Sequence, residues 1–263
     1  MRTFVLLIIC LLLLSSSARA ERWDRGERGH LRRTHLLITL GFGGLYILSE
    51  TVLKDELSPD ECRWCEPPGF DRRLRNAVVW DDARLARQLS DATGYAAVPL
   101  LAFGVSMAPL LLDGNVAGGD VIDVTLPIVE AVVLSQSLAQ IAKISLGRER
   151  PYAHFGGLPA GRIQEDNLSF FSGHAALTFS LVTSAGVIAH QRKWRTEPFI
   201  WGIGVPLATA TAYFRMAGDM HYFSDVVVGA VAGIGAGLTV PRFFAHELAV
   251  VPTGNGAAVA GSF

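Results

Sequence analysis

Three short stretches of this chain concentrate the side chains that could handle a phosphoryl group. Residues 143–151 hold Lys143, Arg150 and Pro151; residues 171–174 hold Phe171, Ser172, Gly173 and His174; residues 215–225 hold Arg215, His221 and Asp225. Fixed cations such as Lys143, Arg150 and Arg215 offset the charge that gathers on the oxygens of a transferring phosphoryl group. His221 and Asp225 are four positions apart. On a helix they would share one face, so the carboxylate would accept a proton from one imidazole nitrogen and leave the other free to attack phosphorus. Ser172 is a natural N-cap, Gly173 lets an anion approach the backbone, and the helix that follows offers its N–H groups. His174 is suited to protonate a leaving alkoxide. No metal and no cofactor is expected. The remaining histidines, His30, His35, His154, His190 and His246, show no metal-ligand spacing.

Taken together, these motifs resemble the type 2 phosphatidic acid phosphatase family, which also includes bacterial acid phosphatases and vanadium haloperoxidases. The family pattern is Lys, six residues, Arg-Pro; then Pro-Ser-Gly-His; then Ser-Arg, five residues, His, three residues, Asp. The reactive positions are all kept here. Phe171 stands where the pattern has Pro, and Phe214 where it has Ser. The resemblance spans roughly residues 92–245. It implies His221 as a nucleophile forming a phosphohistidine, Asp225 as the group that orients it, and His174 as the general acid. Lys143, Arg150, Ser172, Gly173 and Arg215 would cradle the phosphate.

The elements that position these residues must be apolar helices. Half of the 263 residues are hydrophobic and are gathered into blocks, as in a membrane protein. A net charge of -1 points to no nucleic-acid partner. Stretches at 93–112, 121–146, 173–190, 199–217 and 225–245 each approach the ~20 residues that cross a bilayer. Residues 36–53 are a borderline sixth, interrupted by Glu50. Asp123 and Glu130, inside the 121–146 stretch, should lie near an end or face other helices. The glycines and alanines of 229–237 permit close helix–helix approach. The expected fold is all-α: a helical membrane bundle of five or six long helices with the active site at one membrane face.

Residues 1–20 read as a signal peptide ending in Ala18-Arg19-Ala20, with an uncleaved anchor as the alternative. Cleavage would remove Cys10 and leave Cys62 and Cys65. No second cysteine pair is near for zinc and no βαβ setting for a redox motif, so a small structural disulfide in an exported loop is the plainest reading. Residues 21–91 form a charged N-terminal segment, in which Trp80 to Ser90 would be an amphipathic helix on the membrane surface. Residues 92–245 form the phosphatase bundle, and 246–263 a tail of two short apolar segments around a turn. Arg148 and Arg162 are expected to flank a membrane helix and meet lipid headgroups.

The leading function is a membrane phosphatase acting on a lipid phosphate monoester or pyrophosphate. Phosphatidic acid, phosphatidylglycerol phosphate, undecaprenyl pyrophosphate and lipid A phosphates are the candidate substrates. Vanadate-dependent halide oxidation, phosphoryl-headgroup transfer and an inactive lipid-binding relative are the alternatives. The expected location is a bacterial-type inner membrane. The basic loop 191–195 belongs inside by the positive-inside rule, which puts the motifs outside, facing the periplasm or exterior. A cleaved leader followed by a span at 36–53 would invert this, unless that stretch does not cross.

Overall fold

The computed structural model describes residues 25–113, 118–156, 165–245, 249–253 and 256–260. The expected leader, and Arg162, lie outside them. The first helices are α1 (Arg25–Thr51), α2 (Lys54–Leu57) and α3 (Gly69–Val78). Next come α4 (Ala83–Ala92), a single π-helical turn (Thr93–Ala97) and α5 (Val98–Asp113), joined end to end. Then follow α6 (Gly118–Leu146), α7 (Pro151–His154), α8 (Gly173–Gln191), α9 (Glu197–Ala217) and α10 (Phe223–Ala245). A two-stranded antiparallel ladder, β1 (Ala249–Thr253) with β2 (Gly256–Ala260), closes the tail and pairs Ala249 with Ala260. The rest is an all-α bundle.

Helix α8 is its axis. Ser172 caps its start by accepting from the Ala175 N–H at 3.5 Å, and Lys193, with φ 54°, follows its end. Thirteen of its 19 residues are buried, among them Thr178, Ser180, Thr183 and Ser184. The hydroxyls of Thr178, Ser180 and Ser184 turn back onto carbonyls of the preceding turn, and Ser180 also meets Ser135, which is how polar side chains are accommodated inside an apolar bundle. Helices α6, α9 and α10 surround it. Along α10, Gly229, Gly233 and Gly237 recur every fourth residue on the face toward α8. A methyl group at Gly233 would come 2.4 Å from the Ala176 carbonyl oxygen, so only glycine permits this approach.

Among the described residues, three helical stretches are long and apolar enough to cross a membrane: Ala83–Leu112, Asp120–Leu146 and Phe223–Ala245. α8 and α9, expected as spans, form as helices of 19 and 21 residues but are not among these three. Trp80–Ser90 is not a separate surface helix. Residues 83–90 are the first turns of the rod that becomes α5, and the boundary expected at 91/92 falls inside it. Asp123 and Glu130 do face another helix. Arg32 of α1 makes a two-pronged bond to Asp123 at 2.7 and 2.6 Å, and His35 lies 2.7 Å from Glu130.

Candidate active site

Each motif sits where one helix gives way to the next. α6 carries Lys143 in its last turn and ends at Gly147, whose φ of +54° suits the left-handed turn that stops a helix. The chain then runs extended through Arg150 to Pro151, the first residue of α7. Ser172 and Gly173 open α8. Arg215 lies in the last turn of α9, His221 in the loop that follows, and Asp225 in the first turn of α10.

These junctions meet at one end of the bundle around a cavity of about 1230 Å³. Lys143, Arg150, Gly173, His174, Arg215 and His221 line it. Lys143 and His221, 78 positions apart by number, thus reach the same space, as the convergence of the motifs requires. Ser172 and Asp225 do not line the cavity. They lie buried behind it, where the Ser172 N–H donates to the Asp225 carbonyl at 3.0 Å.

Among the described residues, two of the cations keep unused donors. Arg150 donates from Nε to the Glu165 carbonyl at 2.9 Å, but its buried Nη1 has no partner. Arg215 donates from Nη1 to Ser90 Oγ at 3.3 Å, while its buried Nε has none. Buried donors without partners are rare. Lys143 Nζ comes close to Gly173, at 3.6 Å from where a side chain there would begin. Three cations therefore converge beside the N-terminus of α8, an arrangement suited to a tetrahedral oxyanion.

His221 is buried, and its Nδ1 donates to the Ser169 carbonyl at 2.8 Å. A carbonyl only accepts, so Nδ1 carries the proton and Nε2 the lone pair. Burial, followed by Arg150, Arg215 and Lys143, holds the imidazole well below its ordinary titration range and so neutral. The expected direct bond from His221 to Asp225 is not made. The nearest approach is 3.7 Å, because His221 lies outside α10 and the four-residue helical spacing does not apply. Asp225 instead accepts from Ser169 Oγ at 2.6 Å, from the Tyr222 N–H at 2.9 Å and from Arg148. Asp225 thus reaches His221 at one remove, through Ser169, whose carbonyl accepts from the imidazole.

Arg148 corrects the sequence reading most sharply. It was expected among headgroups, yet it is 1% exposed. It bridges Asp225 and Asp71, donates to Ser224 Oγ at 2.7 Å, and lies 4.0 Å and 4.4 Å from the ring centres of Trp64 and Tyr222. Asp71, from α3, also accepts from the Ser224 N–H at 3.0 Å. No local pattern marks Asp71, which sits in an ordinary charged stretch.

The Cys62–Cys65 loop lies against the same segment. The two cysteines are disulfide-bonded with Cα atoms 5.3 Å apart. The Arg63 N–H donates to the Gly147 carbonyl at 2.9 Å, and the Glu149 N–H to the Trp64 carbonyl at 3.1 Å. Arg63 Nη1 also caps the end of α6 through the Ile144 and Ser145 carbonyls. Reducing this bond should cost about 2 kcal/mol for so short a loop, read as a lower unfolding temperature in detergent. Thiol labelling of unreduced, freshly isolated membranes should leave both cysteines unmodified; modification of both would contradict the bond.

His174 is contacted from α4 and the π turn that follows it. Its Nε2 lies 2.9 Å from Asp91 Oδ1, and the Tyr95 ring meets it edge-on at 4.6 Å. Neither residue belongs to the three motifs, and both line the cavity. His154, by contrast, bonds Glu149 at 2.9 Å and does not line the cavity.

Residues 125–248 match the PAP2 superfamily. This part of the chain is similar to the family that the three motifs resemble, that of the type 2 phosphatidic acid phosphatases. Among solved structures, the crystal structure of Aquifex aeolicus LpxE is similar, at 23% identity, a TM-score of 0.44, and coverage of 66% of this chain and 93% of that one. No curated protein matches.

Proposed function

We propose that the chain is a membrane phosphatase that removes phosphate from a lipid phosphate monoester or pyrophosphate through a phosphohistidine at His221. The observation that carries this is the cavity itself. Two buried guanidinium nitrogens without partners among the described residues and one lysine converge on a neutral histidine whose lone-pair nitrogen is set by the Ser169 carbonyl. Lys143, Arg150 and Arg215 hold the phosphoryl oxygens, with Gly173 leaving room beside them. Nε2 of His221 attacks phosphorus as the bond to the leaving oxygen breaks, and His174 protonates that oxygen. In the second step His174 takes a proton from water as the water oxygen bonds phosphorus, and the P–N bond returns its electrons to His221. Pure lipid phosphates in detergent micelles, assayed for released inorganic phosphate with and without vanadate, test the reading. Release from none of phosphatidic acid, phosphatidylglycerol phosphate, undecaprenyl pyrophosphate or lipid A phosphates overturns it.

The site faces the periplasm or cell exterior in this proposal. α8 runs from the site to the basic loop Arg192, Lys193, Arg195, and α9 returns from that loop to Arg215. The positive-inside rule assigns the loop to the cytoplasm, so the site is at the other face. Alkaline phosphatase fused after Lys193 should be inactive; an active fusion reverses the orientation.

A further inference from the structure

The rod formed by α4, the π turn and α5 makes a seat for His174 that none of the three motifs supplies. Asp91, Gly94 and Tyr95 occupy positions i, i+3 and i+4 of this rod, so all three lie on one face. Asp91 Oδ1 is 2.9 Å from His174 Nε2. At Gly94 the imidazole packs directly on the backbone: a methyl group there would be 3.1 Å from His174 Cδ2. The Tyr95 ring closes the other side at 4.6 Å, inclined 61° to the imidazole. The seat falls at the π turn Thr93–Ala97, and such single turns are frequent where a helix serves a site. Asp91 also lies outside residues 125–248, the part of the chain that matches the family.

We propose that Asp91 is a positioning residue for His174, holding its Nε2–H so that Nδ1 exchanges the proton with the leaving oxygen; this rests on the phosphatase reading above. A carboxylate only accepts, so Nε2 must donate, and Nδ1 is the nitrogen left to act. When the bond from phosphorus to the leaving group breaks, its electron pair stays on oxygen. The Nδ1 proton moves to that oxygen and the imidazolium becomes neutral. In hydrolysis of the phosphohistidine the same nitrogen takes a proton from the attacking water, which restores the imidazolium. Asp91, whose carboxylate faces Nε2, offsets the positive charge of the imidazolium before the first step and after the second. Asp91 Oδ1 is also 3.5 Å from Arg215 Nη1, which offers a competing role in phosphate binding.

The two roles separate by leaving group. A lipid alkoxide must be protonated as it departs, whereas p-nitrophenolate leaves unaided. Asp91→Asn is suitable because the side chain is 54% exposed and the amide keeps its shape. On the lipid phosphate that the wild type cleaves fastest, kcat should fall about 100-fold, the low end of what general acid catalysis contributes. On p-nitrophenyl phosphate kcat/KM, which reports formation of the phosphohistidine, should change by less than about threefold, since a general acid is not needed in that step; kcat there falls only as far as hydrolysis of the intermediate, which also uses His174, limits it. Asp91→Glu should recover part of the loss on the lipid. An equal loss of kcat/KM on both substrates, a rise in KM on both, or no loss on either overturns the role of Asp91 and leaves the phosphatase reading standing. A wild type that releases phosphate from neither substrate overturns that reading and this proposal with it.

Discussion

His221→Ala is expected to abolish phosphate release from every substrate, good leaving group or poor, by on the order of 10⁴-fold or more, because it removes the group proposed to form the covalent intermediate. The variant should still bind vanadate weakly, as Lys143, Arg150 and Arg215 remain around the cavity. Acid-quenched wild type incubated with phosphate-labelled substrate should carry an acid-labile label that His221→Ala lacks. The pH dependence should follow the same group. Burial and three cations keep His221 neutral well below its ordinary range, so the nucleophile is fully present above that range and stays present as pH falls through it. The acidic fall in kcat/KM should therefore lie well below the value of a free histidine. Residual turnover in the alanine variant within tenfold of wild type would sink the nucleophile assignment.

Arg148→Ala should have the largest effect on stability. Arg148 is paired with Asp71 and Asp225, both 0% exposed, and removing it leaves two buried carboxylates without their cation. Breaking such a pair costs about 3–5 kcal/mol. The damage should reach the chemistry too, since Asp225 holds Ser169 and Ser169 holds His221. Arg148→Lys keeps the charge but cannot span both carboxylates from two nitrogens, so an intermediate loss is expected. Thermal unfolding in detergent, followed with phosphatase activity on the same samples, measures both effects. An Arg148→Ala protein that unfolds at the wild-type temperature would show that the buried network does not hold this end of the bundle together.

Much of the site was legible in the chain. Lys143, Arg150, Gly173, His174, Arg215 and His221 were singled out by type and spacing, and all six line one cavity. The helix ends that present them are local matters: a serine cap before α8 and a glycine after α6. The apolar blocks define the long helices for the same reason, since hydropathy and helical period are properties of neighbouring residues. The glycines of 229–237 announced a close approach, although not that α8 would be the partner.

What neighbouring residues could not encode was decided by packing. Asp225 was assigned to His221 because four positions on a helix share a face, yet α10 begins after His221, and the carboxylate turns to Ser169, Tyr222 and Arg148 instead. Arg148 looked like a headgroup anchor because a cation at a helix end usually is one. Its burial follows from Asp71, 77 positions away in the chain, and from Trp64 in the disulfide loop. Asp91 reaches His174 across 83 positions. The sequence by itself therefore determined which groups could perform phosphoryl transfer, where α6 would stop and where α8 would start, because these depend on side-chain chemistry and local backbone conformation. Only the tertiary structure decided which carboxylate serves which cation or histidine, because a buried charge takes the partner that packing brings within hydrogen-bond distance, and no spacing along the chain records that choice.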